Sequence, residues 1–265
     1  MRAARFHGPG LPIRIEEVPY PEPGPGEAVV RVKACGICGS DLHFLDGLPT
    51  LIPPPLTLGH EPAGEIESLG AGTSDWKPGD RVALHLGPGC GQCRACRSDH
   101  PSCCSSLQAP GLTLDGAFAE AVRVPTACLV RIPEGVPFDV AAVATDCVAT
   151  PYHALTCRAT LHHGERVAII GLGGLGGQAL SLARALGAAQ TIAVDVSTAA
   201  LERATSHGAT DTLLATGEED VAARVLELSE GGVDVALECV GKPDTVAIAA
   251  GSLHPGGRLV IIGVG

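Results

Sequence analysis

The spacing of apolar and polar positions divides this chain into two stretches with different rhythms. Up to about residue 140 the apolar residues come in short runs, Glu27 to Ala34, Gly64 to Leu69, Arg81 to Leu84 and Phe118 to Val124, broken by frequent Pro and Gly. Such runs between turn signals predict an irregular, mostly antiparallel β domain. After Gly164 apolar strands are expected at Arg166 to Ile170, Thr191 to Asp195, Asp211 to Leu214, Val233 to Glu238 and Arg258 to Ile262. Between them lie helical patterns near Leu175 to Leu186, Ser197 to His207, Glu219 to Ser229 and Pro243 to Leu253. This alternation predicts a parallel, doubly wound sheet, hence an α/β chain with a mostly-β domain over residues 1–140 and a doubly wound domain over 141–265. No repeat or low-complexity tail interrupts it. A sheet of the six-stranded type calls for a further strand and helix beyond GRLVIIGVG, so the reading is of a C-terminally truncated domain.

Composition narrows the function classes. At 265 residues the chain is long enough for two cores, and with 45% apolar but only 3% aromatic residues those cores are built from Val, Leu, Ile and Ala. A net charge of -11 argues against nucleic acid or an anionic membrane surface as partner and leaves a small molecule. The longest uncharged run, Val167 to Ala183, holds five glycines and reads as a buried strand and turn, not a membrane span. No basic-then-apolar leader opens the chain, which predicts a cytoplasmic protein. In a reducing compartment eleven cysteines point to metal ligands or buried thiols before disulfides.

Five of those cysteines crowd into CGQCRACRSDHPSCC at residues 90–104. Cys90, Cys93 and Cys96 stand at successive CxxC spacings that let three thiolates converge on one ion, and Cys104, or its neighbour Cys103, closes a tetrahedron. Four thiolates leave no open position, so such a zinc site staples a loop. A second, dispersed set offers ligand types for an open site: Cys38 in CGICGSDLH, His60 in GHEPAG and Asp146 in ATDCVATPYHAL. The third signal is GLGGLG after a strand and opening a helix. Gly171 permits the tight turn, Gly173 the approach of a pyrophosphate and Gly176 close helix packing, and Gly174 and Leu175 complete the candidate cofactor-binding set. Asp195 ends the next strand, where a carboxylate accepts from ribose hydroxyls, and no cation follows before Arg203, so NAD is expected over NADP.

Taken together, these motifs, with GDRV at Gly79 to Val82 and DGAFAEAVRVP at Asp115 to Pro125, resemble the zinc-containing alcohol dehydrogenases of the medium-chain dehydrogenase/reductase superfamily over essentially the whole chain. The resemblance implies a GroES-like catalytic domain followed by a Rossmann domain, with the active site in the cleft between them. It also implies two zinc ions per chain, NAD, a small alcohol or carbonyl substrate and homo-oligomeric assembly. Carried over, Cys38 and His60 match the first two catalytic zinc ligands, Glu61 the acid that approaches the metal during ligand exchange, and Ser40 and His43 the proton relay. Cys90, Cys93, Cys96 and Cys104 match the structural zinc lobe. Three departures stand out: Asp146, with Cys147 beside it, where many members have Cys; Thr73 where Val is common; and the missing C-terminal part. The expected activity is reversible oxidation of an alcohol with NAD. Its rivals are an inactive truncated member that still binds zinc and nucleotide, and a thiol redox sensor built on Cys90 to Cys104.

Overall fold

A computed structural model describes residues 1–216 and 220–264, and the chain divides into two compact units, Met1–Asp146 and Cys147–Gly265. The first unit contains β1 (Arg2–Phe6), β2 (Arg14–Glu17), β3 (Glu27–Gly36), α1 (Gly39–Asp46), β4 (Leu56–Thr57), β5 (Glu61–Leu69) and β6 (Arg81–Leu84). It continues with α2 (Arg94–Arg97), β7 (Ala121–Pro125), β8 (Leu129–Arg131) and α3 (Phe138–Val143). Five strands form an antiparallel sheet in the order β7-β3-β5-β6-β8, and a smaller sheet runs β2-β1-β4. Alternate residues of the large sheet, including Ala28, Val30, Ile66, Val82, Leu84, Val122 and Val124, bury one core.

β3 runs two residues beyond the expected Ala34, and two strands start at residues other than those expected. β5 starts at Glu61, three residues early, because β3 pairs with it from Glu61 while β6 joins only at Ala63, so the missing N–H of Pro62 costs no second ladder. β7 starts at Ala121 because Phe118 bonds elsewhere: its N–H donates to the Leu58 carbonyl and its carbonyl accepts from Ala4 N–H. The division of the chain falls after Asp146, beyond the expected residue 140, since Ala141 and Ala142 of α3 pack with Ala63 and Ile132 of the first unit.

In the second unit α4 (Ala149–His153) precedes β9 (Arg166–Ile170), α5 (Gly174–Ala185), β10 (Gln190–Asp195), α6 (Thr198–Ser206) and β11 (Asp211–Leu214). Then come α7 (Val221–Leu228), β12 (Val233–Glu238), α8 (Pro243–Gly251) and β13 (Leu253–Ile261). The sheet is parallel with order β11-β10-β9-β12-β13. Strict alternation makes it two-faced. Val167, Ile169, Val235 and Leu237 pack with Leu180 and Ala183 of α5 and Leu201 of α6. Ala168, Ile170, Ile192 and Ala236 pack with Val225 of α7 and Ala249 of α8. Helix starts follow their caps: the Ser197 hydroxyl accepts from Ala200 N–H and the Asp220 carboxylate from Ala223 N–H. The expected start of the third helix at Glu219 lies outside the described residues. β13 begins five residues before the expected Arg258, because His254–Gly257 does not end the strand but bulges through the edge of the sheet. Among the described residues no helix is long and apolar enough to cross a membrane.

Candidate functional site

Three groups of residues carry the chemistry expected of a site. The first grows from the start of α1. Cys38 is its N-cap residue in extended conformation, and the Asp41 carboxylate turns back to accept Cys38 N–H at 3.0 Å. That local bond aims the Cys38 thiol across the sheet end, where Sγ lies 3.4 Å from Asp146 Oδ2. Asp146 sits in a π-helical turn, Ala144–Val148, a wider coil common at functional sites. His60, just before β5, places Nε2 3.6 Å from the same Asp146 oxygen, and its Nδ1 faces Asp41 Oδ1 at 3.7 Å. One donor atom each from Cys38, His60, Glu61 and Asp146 lie within 4.8 Å of one another.

The electrostatics of this cluster call for a cation. His60, Glu61, Asp41 and Asp146 are all buried. Burial disfavours charge on the His60 ring, yet Asp146, Asp41 and Cys38 around it outweigh that and push it up to about 12. Burial and then the Asp146 charge push the Glu61 carboxyl up to about 7. Soft and hard anionic donors from Cys38, Glu61 and Asp146 crowded around one buried imidazole suit a divalent ion such as zinc. Ser40 is half-buried with Oγ 3.7 Å from Cys38 Sγ, and His43, one turn on, folds back over Gly39. Asp41 was not singled out from sequence. Its signal is local, an acid three residues after an N-cap, but its approach to His60 depends on the fold.

The second cluster holds Cys90, Cys93, Cys96 and Cys104, whose sulfurs also lie within 4.8 Å of one another. Backbone amides are aimed at them: Cys93 N–H at Cys90, Cys96 N–H at Cys93, and Cys90 and Ser106 N–H at Cys104. The Gln92 and Cys93 amides bring the Cys90 thiol down to about 6, the condition for a thiolate ligand. Cys104 is buried in this group while Cys103 is exposed outside it. The donor set suits a closed four-sulfur zinc site.

The third cluster is the turn after β9. Gly171 has φ +89° and donates to the Val194 carbonyl at 2.8 Å, and a Cβ at Gly176 would overlap the Gly171 carbonyl. α5 starts at Gly174 with Gly173 as N-cap and no side-chain cap, leaving its first amides open to an anionic ligand. A cavity of about 330 Å³ lies there, lined by Leu172, Gly173, Gly174, Gln178, Arg203 and His207. Asp195 has more bonds than expected: Oδ2 accepts Leu172 N–H at 2.7 Å and Oδ1 accepts Ser197 N–H at 2.8 Å. The carboxylate thus fastens β10 to the glycine turn. Cys147 Sγ lies against Gly174 in this unit.

Two family models match parts of both units. Residues 24–134 match the family described as alcohol dehydrogenase GroES-like domain, and residues 174–265 match the family described as zinc-binding dehydrogenase. A sorbitol dehydrogenase of Bacillus subtilis is 34% identical, the match covering 100% of this chain and 75% of that one. The crystal structure of an alcohol dehydrogenase from the archaeon Aeropyrum pernix has a TM-score of 0.90 and 37% identity, covering 100% of this chain and 79% of its own. A candidate zinc-binding dehydrogenase from Sinorhizobium meliloti, bound to NADP, has a TM-score of 0.91 and 35% identity, covering 99% and 76%.

Proposed function

This chain belongs to the zinc-containing alcohol dehydrogenase family of the medium-chain dehydrogenase/reductase superfamily, and from that premise we propose how its residues divide the work. The fold is the family's, a GroES-like mostly-β unit followed by a Rossmann doubly wound sheet. The protein is a zinc-dependent oxidoreductase that uses NAD(P) to interconvert an alcohol and its carbonyl compound.

In our reading Cys38, His60 and Asp146 hold the catalytic zinc, with Glu61 as the acid that exchanges at the metal and a fourth position left for substrate. Cys90, Cys93, Cys96 and Cys104 hold a second, structural zinc. When bound, the zinc is a Lewis acid that lowers the pKa of the alcohol hydroxyl, and the nicotinamide accepts the hydride. Ser40, beside Cys38, takes the hydroxyl proton, and His43 passes it on to solvent. Asp41 holds the His60 ring from behind and keeps its other nitrogen towards Cys38 and Asp146. Gly171, Gly173, Gly174, Leu175 and Gly176 receive the pyrophosphate, and Asp195 favours NAD over NADP by accepting from the ribose and repelling a 2'-phosphate. A reducing compartment such as the cytoplasm suits eleven free thiols. The family resemblance adds homo-oligomeric assembly, which sedimentation of the purified protein checks.

The observation that carries this reading is Asp146, which comes from 108 residues beyond Cys38 to within 3.4 Å of its sulfur. The test is zinc per chain together with NAD reduction on a panel of primary and secondary alcohols. Two zinc ions and turnover are expected, and Asp146→Ala should retain one ion and lose turnover. One ion in the unaltered protein, or full turnover in the variant, refutes the assignment.

A further inference from the structure

The order β11-β10-β9-β12-β13 places the reversal of winding between β9 and β12. In open parallel sheets the ligand crevice lies outside the carboxyl ends of the strands at that point. One bank of the crevice is the glycine turn after β9. The other is the turn after β12, residues 239–242. The two banks touch, since a Cβ at Gly171 would overlap Val240 Cγ2, and a Cβ at Gly263 after β13 would overlap the Val240 and Gly241 amides.

Glu238 is the last residue of β12 and is 0% exposed. It ends an otherwise apolar run, VDVALE, whose neighbours Ala236 and Leu237 are core residues. A carboxylate in such a place is costly unless every lone pair is met, and here the donors come from the turn itself. Oε1 accepts from Val240 N–H at 2.8 Å, Gly241 N–H at 2.9 Å and the Thr245 hydroxyl at 2.8 Å, and Oε2 accepts from Gly241 N–H at 3.1 Å. The Glu238 carbonyl accepts Ile262 N–H at 2.8 Å and Gly263 N–H at 3.1 Å, which ties in the end of β13. One residue therefore grips the chain segments that leave β12 and β13, directly against the glycine turn of β9. An apolar residue would satisfy the strand equally well but would leave the Val240 and Gly241 amides without acceptors.

We infer that Glu238 is a positioning residue of the dinucleotide site: its carboxylate holds the Val240–Gly241 turn as the second wall of the crevice before the cofactor arrives. Charge-assisted bonds to two consecutive amides fix that wall, so binding does not have to order it. The inference rests on the reading that this protein binds NAD(P).

The test uses the zinc-loaded protein and compares the wild type with Glu238→Gln, whose amide must turn an N–H towards the turn's own donors. Calorimetric titration with NAD and NADH well below the unfolding temperature should give dissociation constants raised roughly tenfold or more. Hydrogen exchange of the Val240 and Gly241 amides should quicken, with zinc content unchanged. Ser229→Ala, which removes a buried hydroxyl at the opposite end of β12, controls for loss of stability and should leave the dissociation constants within about twofold. If Glu238→Gln does not fold, Thr245→Val removes a single donor to Oε1 and should weaken NAD about threefold. Wild-type affinity in Glu238→Gln or, failing that, in Thr245→Val overturns the inference, as does an equal loss of affinity in Ser229→Ala. A wild-type protein that takes up neither NAD nor NADP overturns the cofactor reading itself, and this inference with it.

Discussion

Asp195→Ala separates two things this carboxylate does, one to the cofactor and one to the fold. Val196 beside it is 68% exposed and Ser197 is exposed too, so the rim where the adenosine ribose would lie has a water-like dielectric. A 2'-phosphate of charge about -2 at about 5 Å from Asp195 is then repelled by about 1.7 kcal/mol at low ionic strength. NAD, in turn, loses hydrogen bonds to a charged acceptor worth about 1.5–3 kcal/mol. The sum, about 3–5 kcal/mol, should move the NAD/NADP preference by roughly two to three and a half decades. The structural part is independent of any cofactor. Leu172 N–H is buried and loses Asp195 Oδ2 as its acceptor, a cost of about 1–3 kcal/mol, whereas Ser197 N–H turns to water. At about 2–4 °C per kcal/mol the unfolding midpoint should fall by several degrees. Asp195→Asn pulls the effects apart, because its amide oxygen can still accept from Leu172 while the charge is gone. Dissociation constants for NAD and NADP, measured beside the unfolding midpoint, decide the matter. If the preference shifts less than about threefold in both variants, Asp195 is a fastener and not the selector.

Other expectations follow from the same geometry. Asp41→Asn should weaken zinc at the Cys38–His60–Asp146 centre by about 10–100-fold, read by competition with a chelator, because Asp41 supports both Cys38 N–H and the His60 ring; unchanged zinc affinity removes Asp41 from the site. Gly176→Ala should cost about 1–3 kcal/mol and abolish detectable NAD binding, since the added methyl meets the Gly171 carbonyl, which cannot yield like a flexible side chain. At Asp234, partial burial raises the carboxyl's pKa, but the Arg166 amide at 2.7 Å and the His254 ring at 3.0 Å outweigh it and hold the pKa below its ordinary value. A depressed carboxylate stabilises fully above its unfolded pKa and loses that contribution as pH falls through the folded one. Asp234→Ala should therefore cost about 1 kcal/mol at pH 7, and the gap in unfolding midpoint from wild type should shrink below about pH 4; a gap constant with pH contradicts this.

The period of apolar residues was a sound guide wherever burial alone decides structure. In β9 the alternation of Val167 and Ile169 with Ala168 and Ile170 marks a strand covered on both faces, and the structure buries them in two separate cores. Periodicity fails where backbone partners decide instead. His254–Gly257 reads as a turn by composition, yet β13 runs through it as a bulge because β12 pairs on either side of it, with Leu253 and again from Arg258. Pro62 reads as a strand breaker, yet β5 runs through it because β6 starts pairing one residue later.

The buried acids show the same limit at the sites. Asp41 and Glu238 each bond an amide exactly one turn's reach away, three residues along the chain: Cys38 N–H for Asp41 and Gly241 N–H for Glu238. That half of their role is local, and an acid three residues from a cap or a glycine can be looked for in any sequence. The other half is not local. Asp41 matters because His60 arrives behind it, and Glu238 because its turn abuts Gly171, a residue reached only through the pairing of β9 with β12. Asp195 follows the same logic in reverse, since its place at a strand end was legible but its grip on Leu172 was not. In each case a carboxylate converts a short-range hydrogen bond into the long-range placement of a group to which the proposed reading gives a ligand. The residues to test beyond a motif are therefore buried acids whose partners are the backbone amides of the motif's own turns.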